Sequence, residues 1–171
     1  MTRAARALGI VLAAAPMFAA AAPAARAALK NAQGKQIGTA TFKPVDAGVQ
    51  VQVQVAGLAP GKHGIHVHAV GKCEPPDFKS AGPHFNPTGR KHGVLNPEGA
   101  HVGDLANLEV GPDGKAKGAF TARGASLGPG EGSLFGPDGT ALVIHADPDD
   151  ERTDPAGNSG ARIACGVIER K

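Results

Sequence analysis

Apolar and polar residues alternate along several short stretches of this 171-residue chain. The clearest is VQVQVQVAG (49–57), in which valine and glutamine take turns. Because successive side chains of a strand point to opposite faces, this period of two predicts a strand with one buried face. KQIGTATFKP (35–44) precedes it and is predicted to be its hairpin partner. Further predicted strands are GIHVHAV (64–70), LANLEV (105–110), KAKGAF (115–120), TALVIHA (140–146) and ARIACGVIER (161–170).

Glycine and proline separate these stretches, and the turn sequence GPDG occurs twice, at 111–114 and 136–139. Short strands at this spacing, without helical periodicity, predict an all-β antiparallel sandwich or barrel. Two segments do not fit as strands, 71–104 and 147–160. Irregular loops longer than about 12–15 residues are uncommon in compact domains and are usually functional. Each of these two loops begins just after a histidine-bearing strand, so both are predicted to serve the function.

Residues 1–27 have the composition of a secretory signal peptide. A basic start is followed by an apolar stretch at 7–15, and the sequence ARA at 25–27 offers a cleavage site with small residues. We expect cleavage before Ala28, which leaves a single domain at 28–171. The apolar stretch is too short and too rich in alanine to be a membrane anchor. Export is therefore predicted, to the periplasm first and to the medium as the alternative.

Removing that leader makes the formal charge of the chain zero. The whole chain has 18 basic and 15 acidic residues, and the leader holds three basic ones, Arg3, Arg6 and Arg26, and no acid. A nucleic-acid-binding domain is usually strongly basic on one face. Since the mature chain is formally neutral, its net charge gives no support for a nucleic-acid partner, and none is predicted.

Two cysteines are present, Cys73 and Cys165. Disulfides persist in the oxidising compartments that receive exported proteins, so a bridge is expected, with two buried free thiols as the alternative. A bridge that closes about 90 residues would contribute roughly 4–5 kcal/mol to the free energy of unfolding if the unfolded chain is treated by loop-closure entropy.

The seven histidines lie at 63, 66, 68, 84, 92, 101 and 145. A scattered surface histidine would explain any one of them, but the group is ordered along the chain. His66 and His68 share one face of a strand, and His145 ends another strand. The long first loop carries His84, His92, His101 and Asp104. A zinc ion bound by three histidines and a carboxylate can hold a loop with few apolar residues, and the strand histidines would form a nitrogen-only site, which suits copper.

Five segments closely resemble motifs of the copper/zinc superoxide dismutases. They are GIHVHAVGKC (64–73), AGPHFNPTGRKHG (81–93), HVGDL (101–105), ALVIHA (141–146) and GNSGARIACGVI (157–168). They occur in order, and the resemblance covers nearly all of the mature chain. It implies a Greek-key β-sandwich or barrel of about eight strands with two long functional loops. It also implies an oxidoreductase that converts superoxide into dioxygen and hydrogen peroxide.

The resemblance implies two metal sites that share one residue. Copper would be bound by His66, His68, His84 and His145, and zinc by His84, His92, His101 and Asp104. Asp149 would hydrogen-bond His66 and His92 and fix their orientation. Arg162 would dock the superoxide anion, and His84 would carry a proton. The two cysteines, Cys73 and Cys165, would form the family's intrasubunit disulfide.

Two other functions fit parts of the pattern. A non-catalytic metal-binding protein, such as a copper or zinc buffer, would be expected to lack a copper ligand or the arginine, and the sequence lacks neither. A zinc hydrolase needs an open zinc position, whereas the predicted zinc group already supplies four protein ligands. The resemblance leaves the oligomeric state open between a monomer and a homodimer.

Overall fold

The computed structural model describes residues 24–171, which form ten strands and one turn of 3-10 helix at Lys79–Ala81. The strands are β1 (Ala25–Asn31), β2 (Gln36–Val45), β3 (Gly48–Ala56), β4 (Gly61–His63), β5 (Ile65–His68), β6 (Leu108–Val110), β7 (Lys115–Arg123), β8 (Ala141–His145), β9 (Arg162–Val167) and β10 (Glu169–Arg170). Eight of them form one curled antiparallel sheet, ordered β5-β8-β9-β1-β2-β3-β7 with β10 beside β1. The predicted all-β antiparallel fold of about eight strands is confirmed.

The alternating sequence of β3 builds one wall of the core. Its four valines are at most 5% exposed, whereas Gln52 and Gln54 between them face solvent. β2 pairs with β3 through a hairpin, as predicted, and β7 pairs with the other edge of β3. Burying a valine side chain contributes about 1.5–3 kcal/mol relative to leaving it exposed, so the alternation fixes which face of the hairpin points inward.

β1 is a strand that the sequence patterns did not indicate. Residues 25–27, which the sequence assigned to the end of the signal peptide, form its first part, and Ala25 and Ala27 are 0% and 2% exposed. Residues 19–28 are nearly all alanine, so they show little contrast between apolar and polar positions. For this reason the sequence pattern did not indicate a strand there. The basic start and the apolar stretch of that leader lie outside the described residues.

The two long loops cross the same end of the sheet. The first connects β5 to β6 and the second connects β8 to β9. They are joined directly, because the backbone N–H of Leu95 donates to the carbonyl of Glu151 (3.0 Å) and that of His92 donates to Oδ1 of Asp154 (2.7 Å). No helix in residues 24–171 is both long enough and apolar enough to cross a membrane.

Candidate metal centre

β5 and β8 bring three histidines to one end of the sheet. The two strands pair antiparallel, and the backbone N–H of His145 donates to the carbonyl of Gly64 (2.8 Å) just before β5. All four residues of β5 are buried, including His66 and His68. His84 joins them from the first loop through a bridge to His68, with its ring centroid 4.1 Å from that of His66. We call these four histidines the copper cluster.

One ring nitrogen of each strand histidine is already engaged by an acceptor. Nδ1 of His68 donates to the carbonyl of Gly82 (2.8 Å), Nδ1 of His145 contacts the carbonyl of Gly160 (3.2 Å), and Nε2 of His66 donates to Asp149 (2.6 Å). A neutral imidazole has one N–H, so the other nitrogen of each ring keeps its lone pair. The outward hydrogen bonds therefore select the tautomers that a metal requires.

The remaining nitrogens converge on one point. The Nε2 atoms of His68 and His145 are 3.4 Å apart, and each of the four histidines has a ring nitrogen within 4.8 Å of one from the others. Within residues 24–171, Nδ1 of His66 and Nε2 of His84 are buried without a hydrogen-bond partner. Buried polar atoms in native proteins are almost always satisfied. A metal ion bound by four nitrogens would satisfy these two atoms.

The second cluster is built on the carboxylate of Asp104. Oδ1 of Asp104 lies 2.9 Å from Nδ1 of His84, 3.1 Å from Nδ1 of His92 and 3.2 Å from Nδ1 of His101. Ligands of a tetrahedral zinc ion with bonds of about 2.0–2.1 Å are separated by about 3.3 Å, so these spacings suit zinc. Oδ2 of Asp104 accepts the backbone N–H groups of Gly93 and His101 and is thereby oriented. We call His84, His92, His101 and Asp104 the zinc cluster.

Asp149 connects the two clusters. Its Oδ2 accepts from Nε2 of His66 (2.6 Å), and its Oδ1 accepts from Nε2 of His92 (3.0 Å). Asp149 is 5% exposed, so few water molecules compete for these bonds. Burial alone would raise its pKa, but the hydrogen bonds from His66 and His92 hold the pKa of this carboxyl well below its usual range. A buried carboxylate thus orients one histidine of each cluster.

Burial keeps three histidines of the copper cluster, His68, His84 and His145, neutral in the metal-free protein. It lowers the pKa of His68 to about 2 and the pKa of His145 to about 3, with nearby histidines adding repulsion between positive charges. The pKa of His84 falls to about 4 for the same main reason, although Asp104 opposes the change. Neutral imidazoles have a lone pair available for a metal at neutral pH, so these three histidines need little proton release to bind one.

His92 behaves differently because it lies between two carboxylates. Burial alone would lower its pKa, but hydrogen bonds with Asp104 and Asp149 raise the pKa of this imidazole to about 9. In the metal-free protein His92 is therefore protonated at neutral pH and donates from both ring nitrogens. A metal ion bound at the zinc cluster through Nδ1 of His92 would have to displace that proton.

We expect the metal-free protein to bind Zn²⁺ about tenfold more tightly per pH unit between about pH 6.5 and 9, because one His92 proton is displaced for each ion bound. Above pH 9 the dependence should flatten. Over the same range the metal-free protein should lose stability. Because the pKa of His92 is higher in the folded than in the unfolded chain, its protonation stabilises the fold fully below about pH 6.5, and this contribution is lost as the pH rises through about 9. Competition with a chromophoric chelator measures the affinity, and a pH-independent constant would contradict the expectation.

Arg162 lies beside the copper cluster at the start of β9. Its Nη1 donates to the carbonyl of Phe78 (2.8 Å), and its Nη2 donates to the carbonyl of Gly82 (2.7 Å). The same Gly82 carbonyl accepts Nδ1 of His68, so one backbone oxygen orients both side chains. Burial lowers the pKa of the Arg162 guanidinium, although arginine stays protonated in proteins.

Cys73 and Cys165 form a disulfide across 92 residues of sequence, with their Cα atoms 5.6 Å apart. The alternative of two free thiols is thereby excluded. The bridge joins the first loop to β9, the strand that carries Arg162. Phe78 and Ala81 of that loop pack with Cys165 in a small buried cluster, so the disulfide holds the carbonyls that position the arginine.

The structure brings together every histidine and aspartate that the sequence assigned to the site. His63, which the sequence analysis left out of the metal ligands, lies outside both clusters. Its ring nitrogens are 2.8 Å from the carbonyl of His145 and 2.9 Å from that of Ala59. It therefore supports the backbone at the end of β8 instead of facing either cluster.

Asn107 is a positioning residue that the sequence analysis missed. Its Oδ1 accepts the backbone N–H of Asp149 (2.8 Å), and its Nδ2 donates to the Asp149 carbonyl (2.8 Å). The side-chain amide thus pairs with the backbone of Asp149 as a neighbouring strand would. The one signal in the sequence was the position of this asparagine inside the predicted strand LANLEV (105–110). In the structure the strand β6 begins only after Asn107, at Leu108.

Gly157 is the second missed residue, and it matters because it has no side chain. Its φ is +59°, and a Cβ there would overlap Oδ1 of Asp149 and lie 2.7 Å from Nε2 of His92. Its backbone N–H donates to the carbonyl of Thr153 (2.7 Å), which closes a turn within the second loop. A single glycine among the 25 of this chain gives no signal of such a role in sequence.

Gly157→Ala is expected to weaken metal binding about 10–100-fold, the usual cost of disturbing a partner of a metal ligand, because the new Cβ displaces the Asp149 carboxylate. Gly34→Ala is the matched control, since Gly34 has a φ of +74° and nothing within 4 Å of the added carbon. Both variants carry backbone strain, but only Gly157→Ala reaches the site. Equal zinc and copper affinities in the two variants would refute this role.

The sequence and the structure both match known proteins. The family profile described as copper/zinc superoxide dismutase (SODC) matches residues 36–168. The chain is 46% identical over 141 residues to Cu-Zn superoxide dismutase 1 of Aquifex aeolicus, which covers 81% of this chain and 83% of that protein. It is 41% identical over 148 residues to the Cu-Zn superoxide dismutase of Caulobacter vibrioides, which covers 85% of each chain.

Solved structures give the same assignment. A SOD-like protein from Bacillus subtilis superposes with a TM-score of 0.80 at 42% identity, covering 83% of this chain and 96% of that one. The Cu/Zn superoxide dismutase from Brucella abortus gives a TM-score of 0.68 at 31% identity, covering 84% of this chain and 98% of that one. The fold, the paired clusters and these relatives agree, and the chain belongs to the copper/zinc superoxide dismutase family, oxidoreductases whose cofactors are copper and zinc.

Proposed function

We propose that the copper cluster and the zinc cluster bind the metals after which they are named, and that Arg162 and His84 carry the dismutation of superoxide. The observation that carries this proposal is the position of His84. Its Nε2 faces the copper cluster, where it lacks a hydrogen-bond partner among the described residues, and its Nδ1 faces Asp104 in the zinc cluster. One imidazole can therefore connect the two metals.

The donor sets fit different ions. The copper cluster offers only imidazole nitrogens, and the zinc cluster offers three nitrogens and a carboxylate oxygen. Copper would supply one-electron redox chemistry, whereas zinc, which has none, would order the first loop and hold His84. The zinc cluster already supplies four protein ligands, which leaves no coordination position for water or substrate. This argues against a zinc hydrolase, because that chemistry needs an open position on the zinc ion.

Arg162 is assigned the docking of the anionic substrate. A guanidinium has five N–H donors, and the carbonyls of Phe78 and Gly82 use two of its nitrogens while fixing its plane. The donors that remain can bind superoxide next to the copper cluster. Because Gly82 also holds His68, the arginine and a copper ligand keep a constant separation.

His84 is assigned the delivery of one proton. Each cycle consumes two superoxide anions and two protons and yields one dioxygen and one hydrogen peroxide. One proton would come from Nε2 of His84, the atom that faces the copper cluster, and the other from solvent.

Arg162→Gln is expected to lower kcat/KM about 10–100-fold, since a hydrogen bond to a charged group is worth about 1.5–3 kcal/mol. Arg162→Lys should fall between this variant and the wild type, because lysine keeps the charge but cannot bind both carbonyls and still present a planar pair of donors. Pulse radiolysis measures the rate, and metal analysis checks that both ions remain. A fully metallated Gln variant with native kcat/KM would remove the docking role.

The function itself is tested by metal analysis combined with a dismutation assay on the mature protein. We expect one copper and one zinc per chain, with activity that disappears on copper removal and returns when copper is added back. Stoichiometric zinc without dismutation after copper addition would instead support a metal buffer. Activity with zinc alone would support a hydrolase.

The compartment proposed for the enzyme lies outside the cytoplasm, with the periplasm preferred to the medium. The disulfide Cys73–Cys165 supports this, because such bonds persist mainly in oxidising compartments. The leader-like composition of residues 1–27 supports it independently. Fractionation of cells that express the whole chain tests it, and enzyme confined to the cytoplasm would contradict it.

A further inference from the structure

The first residues of β1 are part of the folded core. Ala25 and Ala27 are 0% and 2% exposed, while Arg26 between them faces solvent, so the strand already alternates at its first residue. Ala25 pairs with Phe42 of β2, a side chain that is itself fully buried, and Ala27 pairs with Ala40. These residues therefore close one end of the barrel wall over Phe42.

The C-terminal strand depends on the same residues. β10 pairs with β1, and its register consists of Ala25 opposite Arg170 and Arg26 opposite Glu169. The backbone N–H of Lys171 also donates to the carbonyl of Ala24 (3.2 Å), and the N–H of Ala24 donates to the carbonyl of Phe42 (3.0 Å). Without residues 25–27, β10 would lose its pairing with β1.

This packing conflicts with cleavage of the leader before Ala28. Such cleavage would remove two buried alanines from the core and would leave the β2 backbone opposite them without its partner strand. Native proteins usually cover or pair an exposed strand edge of this kind. The ARA sequence at 25–27 satisfies the preference for small residues, but the fold uses those residues as a strand.

The leader contains other cleavage sites of the same kind. Alanines two positions apart also occur at 19–21, 20–22 and 22–24, and each has the small residues that a signal peptidase selects. We infer that processing occurs at one of these upstream sites, so that the mature enzyme begins at or before Ala25 and keeps the whole of β1. This inference rests on the proposed export.

The first test is the mass of the exported protein. The whole chain with its own leader is expressed in a bacterium, the enzyme is purified from the extracytoplasmic fraction, and intact mass and N-terminal sequencing identify its first residue. A first residue at or before Ala25, downstream of the apolar stretch, supports the inference. A first residue at Ala28 overturns it while leaving export intact. Unprocessed protein that starts at Met1 and stays in the cytoplasm overturns the proposed export and the inference together.

The second test measures what residues 25–27 do. Two mature chains that start at Ala25 and at Ala28 are compared, with the longer chain as the matched control. Amides of β10 should exchange at least about tenfold faster in the shorter chain, because opening that strand no longer breaks its pairing with β1. The shorter chain should also melt at a lower temperature. Equal exchange and equal melting would overturn the inference, since retention of these residues would then have no structural effect.

Discussion

Replacing His145 with glutamine is expected to lower the dismutation rate by at least about 100-fold. Mutating a residue that only hydrogen-bonds a metal ligand already lowers metal affinity or activity about 10–100-fold, and His145 is itself proposed to bind copper. Copper content should fall at the same time, since Nε2 of His145 is one of the four nitrogens of the copper cluster. Zinc content should stay near one per chain, because His145 is not part of the zinc cluster. Metal analysis and pulse radiolysis on the same preparation measure all three quantities.

His101→Gln is the matched control for this experiment. His101 belongs to the zinc cluster alone, and its side chain is buried to a similar degree as that of His145. We expect this variant to lose zinc first and to keep copper binding measurable, the reverse of the first variant. If both substitutions removed both metals equally, the two clusters would not be separate sites and the proposed division of ligands between them would be wrong.

Replacing Cys73 and Cys165 with serine is expected to lower the free energy of unfolding by about 2–5 kcal/mol, the usual cost of removing a native disulfide. The loop it closes is long, since the two cysteines are 92 residues apart in sequence. The loss should also reduce kcat/KM, because the bridge anchors the loop that supplies the carbonyls of Phe78 and Gly82 to Arg162. Denaturant unfolding of the metal-free protein measures the first effect, and steady-state dismutation measures the second.

The wild-type protein in a strong reductant is the control for the serine variant. Reduction should shift its unfolding midpoint to that of the variant while leaving both sequences otherwise intact. The variant itself should not respond to the reductant, because residues 73 and 165 are the two cysteine positions of the chain. A variant as stable as the oxidised wild type would show that the bridge does not constrain the unfolded chain.

A residue whose role depends on its neighbours along the chain could be predicted from the sequence. The alternation of β3 predicted its buried face, and the His66–His68 spacing predicted two imidazoles on one side of β5. The strand β1 could not be predicted, because its alanines give little contrast between buried and exposed positions. Asn107 and Gly157 could not be predicted either, because one acts through a hydrogen bond to a backbone 42 residues away and the other through the absence of a side chain.

The strand periodicity, the residue types of the two clusters and the resemblance to the family were all predictable from the amino-acid sequence. These properties are local, because periodicity and ligand chemistry are carried by short segments. Which ring nitrogen faces which cluster depends on the fold, since tautomers are selected by acceptors such as Asp149 and the Gly82 carbonyl that come from other loops. The place of residues 25–27 in the barrel also depends on the fold, because they are buried through pairing with β2 and with β10, a strand far away in sequence.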